Sequence, residues 1–189
     1  MIQLTDEEKE FIRNDLKPLL VENDIKGVIK KCCELNKNSP EVCNVLPMLM
    51  ENGIDLFENI DYIPDYMFRE SDIESIVIPE GIREIRSSAF WGCKKLTSVT
   101  FPSTLSRIGK AAFENCVSLK DVYLPENVSS IGSGCFNECN RIAITTPKRV
   151  GAMPKLRIPK NEIDWYKNHL KTIRAEAENT EEVIEEPEE

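Results

Sequence analysis

Few residues of this chain could do chemistry, and their spacing limits what that chemistry would be. Cys93, Cys116 and Cys139 recur at intervals of 23 residues, and Cys32, Cys33, Cys43 and Cys135 complete the set of seven. Thiols in such a series could ligate a metal or run a redox cycle. Zinc sites, however, combine two close Cys-x2–4-Cys pairs or add histidines. Cys135-x-x-x-Cys139 and Cys32-Cys33 each stand without a second pair. The regular interval favours an interior column instead, because a free cysteine packs as a small hydrophobe. No metal and no cofactor are expected. The one histidine, His169, has no evident nucleophile beside it, which argues against triads, zinc hydrolases and histidine acid–base sites. Gly109-Lys110 lacks the earlier glycine of a phosphate-binding loop. The carboxylates are scattered over turn-like segments with no apolar pocket to perturb them. Asn127-Val128-Ser129 spells a glycosylation sequon, which matters only after export. No catalytic residue is assigned, and the chain is not expected to be an enzyme.

Composition sets the bounds within which other functions must lie. At 189 residues, 41% apolar and 30% charged, the chain can form one domain with short appendages. Its net charge of −9 conceals three zones. Residues 1–147 carry 16 basic and 23 acidic side chains, 148–174 carry eight and two, and 175–189 carry eight glutamates and no base. The acidic balance disfavours nucleic acid as a partner. No apolar run approaches the ~18 residues of a membrane span. The start, MIQLTDEEKE, has neither the basic nor the apolar region of a secretory signal. Together with an odd number of cysteines, this points to a reducing, cytoplasmic setting.

The elements that must position these residues follow from an internal repeat. Residues 82–104 laid over 105–127 match without a gap at Ile82/Leu105, Ile85/Ile108, Ala89/Ala112, Phe90/Phe113, Cys93/Cys116, Leu96/Leu119, Val99/Val122, Phe101/Leu124 and Pro102/Pro125. The pattern runs downstream through Val128, Ile131, Cys135, Phe136, Cys139 and Ile142, until Pro147 arrives one residue early. Upstream it holds through Ile60, Ile63, Met67 and Phe68 at a spacing of 22, and through Ile73, Ile76, Ile78 and Pro79 at 23. Arg69-Glu70 fall where the other units have their cysteine region. Four units result, 60–81, 82–104, 105–127 and 128–149. Within one, Leu96-x-x-Val99-x-Phe101 makes a short strand with Ser98 and Thr100 facing out, and Pro102 ends it. Ile82-x-x-Ile85 makes a second extended piece. No single unit can bury its apolar side, but a stack of four can, which is the physics of a solenoid.

The run I-x-x-I-x-x-x-A-F-x-x-C-x-x-L-x-x-V-x-F-P resembles the BspA-type (Treponema pallidum-type) leucine-rich repeat over residues 60–149. That resemblance implies a binding module of the kind found in bacterial surface proteins, protozoan proteins and bacteriophages. It also implies a closing segment with a helix containing Tyr-Lys. Leu156-Arg157-Ile158-Pro159 and Ile163-Asp164-Trp165-Tyr166-Lys167 look like that ending, with Ile163, Tyr166 and Leu170 as its inward stripe.

The expected fold is therefore an α+β repeat: a short leucine-rich-repeat solenoid between an N-terminal helical cap and a C-terminal capping helix. The cap occupies residues 1–55, the repeats 56–150, the closing helix 151–175 and a disordered acidic tail 176–189. In the cap, Thr5-x-x-Glu8 is a capping-box signature, Pro18 bends or ends the first helix, and Asp24 caps a second. Ser39-Pro40 starts a third, and Gly53 stops it.

With no catalytic signature, function falls to surfaces. Outward strand positions form two columns, Ser75, Ser98 and Asp121 in one, Val77, Thr100 and Tyr123 in the other. Trp91 occupies an outward turn slot and suits an interface. Residues 51–84 hold ten acidic side chains, Asp72 and Glu74 among them, and two basic ones. Arg83, Arg86, Arg107 and Lys110 follow on the next coils. The expected partner-binding residues are Trp91, Thr100, Asp121, Tyr123, Arg83, Arg107, Asp72 and Glu74, and the expected partner is another protein. The expected role is a non-enzymatic intracellular interaction module. The family's distribution suggests a phage-encoded inhibitor of a host defence protein, acting in the host cytoplasm. A secreted or surface adhesin is the alternative.

Overall fold

The computed structural model describes residues 2–38, 42–139, 142–147, 161 and 170–173. Four coils of solenoid follow a helical cap, and each coil contributes one strand to a continuous parallel ladder on one side and one to a ladder broken in two on the other. The first ladder joins β1 (Tyr62–Ile63), β3 (Glu84–Ile85), β5 (Arg107–Ile108) and β7 (Ser130–Ile131) in that order. On the other side lie β2 (Ser75–Val77), β4 (Ser98–Thr100), β6 (Asp121–Tyr123) and β8 (Ala143–Pro147). There β2 pairs with β4, and β6 with β8, while β9 (Leu170–Ile173) extends the second group beyond β8.

The register reproduces the repeat spacing. Ile63 lies opposite Ile85, 22 residues on, whereas Ile76 lies opposite Val99, 23 on. Between β6 and β8 the step falls to 22, with Val122 opposite Ile144, so the missing residue of the last unit lies between Ile142 and Ile144. Identical residues in successive coils therefore stack. The rings of Phe68, Phe90, Phe113 and Phe136 form one column with centroids 5.1, 4.9 and 5.5 Å apart. These intervals match the separation of about 4.8 Å between paired strands. All four rings are buried, and Phe57 closes the column toward the cap, its centroid 6.5 Å from that of Phe68.

The turn between the two ladders is held by left-handed backbone. Tyr66, Ser88, Ala111 and Gly134 occupy one column of positive φ, and Glu70, Gly92, Asn115 and Glu138 another. Where coils approach most closely, a side chain cannot fit. A Cβ on Gly109 would lie 2.6 Å from the Arg86 carbonyl carbon, and one on Gly132 would meet the Lys110 amide nitrogen. Gly109 is thus a packing residue of β5's end, which gives the Gly109-Lys110 pair a structural reason.

The cap forms largely as its sequence signals require. In α1 (Asp6–Phe11), Glu8 N donates to Thr5 Oγ1 at 3.1 Å and Thr5 N donates to Glu8 Oε2 at 2.9 Å. Glu8 is buried, and its Oε1 accepts from Asn44 N at 2.8 Å. Asn44 Oδ1 in turn accepts from Asp72 N at 2.8 Å, tying the chain start to the first coil. Pro18 does bend the helix. Lacking an N–H, it is preceded by a π-helical turn over Ile12–Leu16 and then begins α2 (Lys17–Val21). Asp24 caps α3 (Ile25–Asn38), accepting from Gly27 N at 2.9 Å. The next helix, α4, spans Val45–Glu51. Ser39-Pro40 lie outside the described residues, but the helix expected to run from them through Val42 does not: residues 42–44 form a turn, and the helix begins only at Val45. Gly53, at φ 85°, ends α4, where Ile54 N donates to Leu49 O.

Two expectations need correction. The cysteine slot of the first coil is filled by Ser71, not lost at Arg69-Glu70. Its hydroxyl lies 3.6 Å from Cys93 Sγ, and the missing residue comes later in that unit. At the C-terminal end, Leu170, expected on the inward stripe of a capping helix, begins a strand. β8 would otherwise leave an open ladder edge, and Leu170–Ile173 pair with Ile144–Pro147. The rest of that expected helix and the acidic tail lie outside the described residues.

Candidate protein-binding surface

The thiols come first, because they were the residues able to do chemistry. Each thiol of the 23-residue series donates to the carbonyl of the phenylalanine one coil back. Cys93 Sγ reaches Phe68 O at 2.9 Å, Cys116 Sγ reaches Phe90 O at 3.1 Å, and Cys139 Sγ reaches Phe113 O at 3.0 Å. These cysteines therefore pack and also give each carbonyl a second donor, beside the backbone N–H of Ser71, Cys93 or Cys116. Only the reduced thiol has a hydrogen to give. Burial pushes the Cys139 thiol up to about 12, with Glu114 adding to the rise. Cys116 is also raised, by the neighbouring Cys93 and by burial. A nucleophilic cysteine needs a lowered value, and these move the other way. Among the described residues no group of three or more metal-ligating side chains comes together.

The expected binding residues fall on three separate faces. On the β2–β4–β6–β8 side, alternation turns Ile76, Val99, Val122 and Ile144 inward; the neighbours on β2, β4 and β6 are exposed, and Ala143 and Thr145 are half-buried. Ser75 lies beside Ser98 and Val77 beside Thr100; β6, next to β4 but not paired with it, carries Asp121 and Tyr123 at the corresponding repeat positions. Four large hydrophobic side chains are exposed among the described residues. Two of them, Val77 (71%) and Tyr123 (53%), share one column with Thr100 between. Rigid strands thus present an apolar–hydroxyl–aromatic row, flanked by the Asp121 carboxylate.

Arg83 and Arg107 lie at the opposite ladder. Glu84 stands between the arginines there, 3.7 Å from Arg86 and 3.8 Å from Arg107. Arg86 also covers the Tyr62 ring at 3.6 Å. Arg83 is exposed, and its backbone serves both neighbouring coils: its N–H donates to Asp61 O and its carbonyl accepts from Ser106 N.

Trp91 sits in the turn between ladders, half-buried, with the Arg69 guanidinium 4.9 Å above its ring. The same guanidinium donates to Asn36 O at 2.9 Å and Lys37 O at 2.8 Å, capping the C-terminus of α3. Trp91 is thereby part of the joint between cap and solenoid. Sequence reasoning missed Arg69, because its partners are backbone carbonyls more than thirty residues away. Asp72 and Glu74 stand where β2 begins, beside α4, and Asp72 pairs with Lys95 at 3.0 Å. The sequon asparagine is also engaged, its Nδ2 donating to Ser103 O.

No curated protein matches the chain. Among solved structures it is similar to a leucine-rich repeat protein of Treponema pallidum, 44% identical over 40% of this chain and 35% of that one, with a TM-score of 0.36. It is also similar to leucine-rich repeat proteins of Bacteroides capillosus (25% identity, 46% and 63% coverage, TM-score 0.44) and Bacteroides ovatus (26%, 53% and 29%, 0.43). The chain spans less than two thirds of each of these proteins. Residues 50–156, more than half of the 189, match the family model described as BspA type leucine rich repeat region (6 copies). The chain belongs to the BspA-type leucine-rich repeat family.

Proposed function

We propose that this chain is a non-enzymatic protein-binding module that works in a reducing compartment and engages its partner through the exposed face of β2, β4 and β6. Solenoids of this class generally mediate protein–protein interaction, and their extended sheet faces serve as binding surfaces. The observation that carries the reading is the Val77–Thr100–Tyr123 row, because exposed apolar groups gathered on rigid strands mark interaction sites more than scattered ones do. Tyr123 is its natural anchor, having a large apolar body and a hydroxyl tip. The thiol–carbonyl hydrogen bonds support the reducing setting, since oxidation would remove their donors. A phage-encoded inhibitor of a host protein is a narrower form of this reading that rests on the family's distribution, and no residue of the chain carries it. A surface adhesin would use the same face and differ in location, so fractionation of expressing cells separates the two.

The test is site-specific photocrosslinking in cells of the native host. A benzoylphenylalanine replaces Tyr123 or Thr100 on the sheet face, Arg107 on the opposite ladder, or Glu22 on the far side of the cap. Adducts of one mass from positions 123 and 100 alone are expected. Adducts from 107 or 22 and none from 123 or 100 would overturn the choice of face.

A further inference from the structure

The β2–β4 ladder has a free edge. Ile78 N donates to Thr100 O at 3.0 Å and Glu74 O accepts from Thr97 N at 2.8 Å, so the even-numbered residues of this stretch turn their peptide groups toward β4. Successive residues of a strand turn theirs to opposite sides. The N–H and C=O groups of Ser75 and Val77 therefore line the side of β2 away from β4. Among the described residues no strand pairs with β2 there. Beside β1 stands α3, the two lining one cavity, whereas beside the start of β2 the cap contributes α4 and Ile2–Gln3. Between α4 and the start of β2 lies a groove of about 570 Å³, lined by Ile2 and Gln3, by Pro47, Met50 and Glu51 of α4, and by Ile73, Glu74 and Ser75; Ile2 N donates to Glu51 Oε2 there at 2.9 Å.

The groove's chemistry selects its occupant. Pro47, Met50 and Ile73 give it apolar lining, while Glu51, Glu74 and Asp72 outnumber Lys95, the one base among the described residues that line it. Lys95 is already held by Asp72, through an exposed pair of the kind that contributes little. The surrounding stretch from 51 to 84, ten acids to two bases, extends the same sign. We propose that the β2 edge and this groove take up an extended, basic segment of a partner protein as an added strand. Its peptide groups would bond to those of Ser75 and Val77. Its alternate side chains would face the Met50 and Pro47 wall, and its cations would meet Glu74 on the β2 side. This rests on the binding-module reading and extends it from the sheet face to the edge beside it.

The probe is an acetylated, amidated peptide, Arg-Val-Lys-Val-Arg-Val-Lys, carrying a fluorophore and titrated into the full chain while anisotropy is followed. Saturable binding is expected, and none for the same peptide with glutamate at every basic position. N-methylation of alternate residues decides the mode. Methylating the parity that faces β2 is expected to weaken binding at least tenfold, and methylating the other parity to leave it unchanged. The Glu74→Lys variant, shown to be folded by circular dichroism, is expected to weaken binding by a similar factor. Equal binding of both methylated series would reduce the contact to diffuse charge attraction and overturn the proposal, as would an absence of saturable binding. Sedimentation showing self-association that the peptide cannot displace would assign the edge to a second copy and overturn it as well. Failure here with Tyr123 crosslinking intact sinks strand addition alone; failure of both sinks the module reading.

Discussion

At the scale of single residues, the interior thiols combine volume and hydrogen bonding in one group. Replacing Cys116 with alanine removes both the sulfur's packing and the donor to Phe90 O. A loss of about 1–2 kcal/mol in urea unfolding is expected, the sum of a small cavity and one lost hydrogen bond, since Phe90 O keeps the Cys93 N–H. Cys116→Ser keeps a donor, as Ser71 does in the first coil, and is expected to cost less; a larger cost for serine would mean that packing alone matters. The thiols also set a pH dependence. Burial pushes Cys33, Cys43 and Cys139 up to about 12 from an ordinary value of 9.0, with carboxylates adding to each rise: Asp65 and Glu34 near Cys33, Glu8, Asp72 and Glu70 near Cys43, and Glu114 near Cys139. Below pH 9 both folded and unfolded chains keep these protons, and the fold has its full advantage. Between 9 and 12 the unfolded chain releases protons that the fold retains, so stability falls as pH rises. The urea midpoint is expected to decline across that window, and a flat profile would contradict the burial of these groups.

At the scale of elements, the seam between coils depends on residues without side chains. Gly132→Ala places a methyl group against Lys110 backbone, which cannot move away as a side chain could. Destabilisation of about 2–3 kcal/mol is expected by calorimetry, together with faster amide exchange in β5 and β7 than in β2 and β4. Much at this scale was legible beforehand. The period gave four coils, both ladders and the 22- and 23-residue registers, because strictly spaced apolar residues admit one stacking. Thr5-x-x-Glu8 and Asp24 announced their helix starts through local hydrogen bonds that need no tertiary context. What stayed hidden depends on distance or on backbone conformation. Glu70, Asn115 and Glu138 adopt positive φ by virtue of neighbouring coils, and no composition rule marks glutamate for that role. Ser71 was obscured because a one-residue gap can be placed on either side of it. The outward columns of the binding face were legible from alternation, whereas the groove beside β2 was not, since it exists only where α4 meets the first coil. Trp91 looked available because the sequence could not show Arg69 above its ring.

At the scale of the whole molecule, the helical cap and the coils form one continuous core. The cap covers Phe57 and the end of the phenylalanine column, and the Glu8–Asn44–Asp72 links and the Arg69 clamp fasten it at separate points. Deleting residues 2–51 is expected to abolish cooperative thermal unfolding and to shift the remaining chain to aggregates in size-exclusion chromatography, since a terminal repeat without its cap exposes apolar surface. A monomeric, cooperatively melting fragment would show that the coils are self-sufficient. The even pitch of the phenylalanine column carries one more consequence. A second copy of residues 105–127 spliced in after Asn127 would set its ring between those of Phe113 and Phe136, among neighbours of the kind it already has. The rod would lengthen by about 4.8 Å, and both of its ends would keep their present fittings. The protein's span is thus adjustable in whole coils, like a ruler extended by one graduation, without redesign of either end.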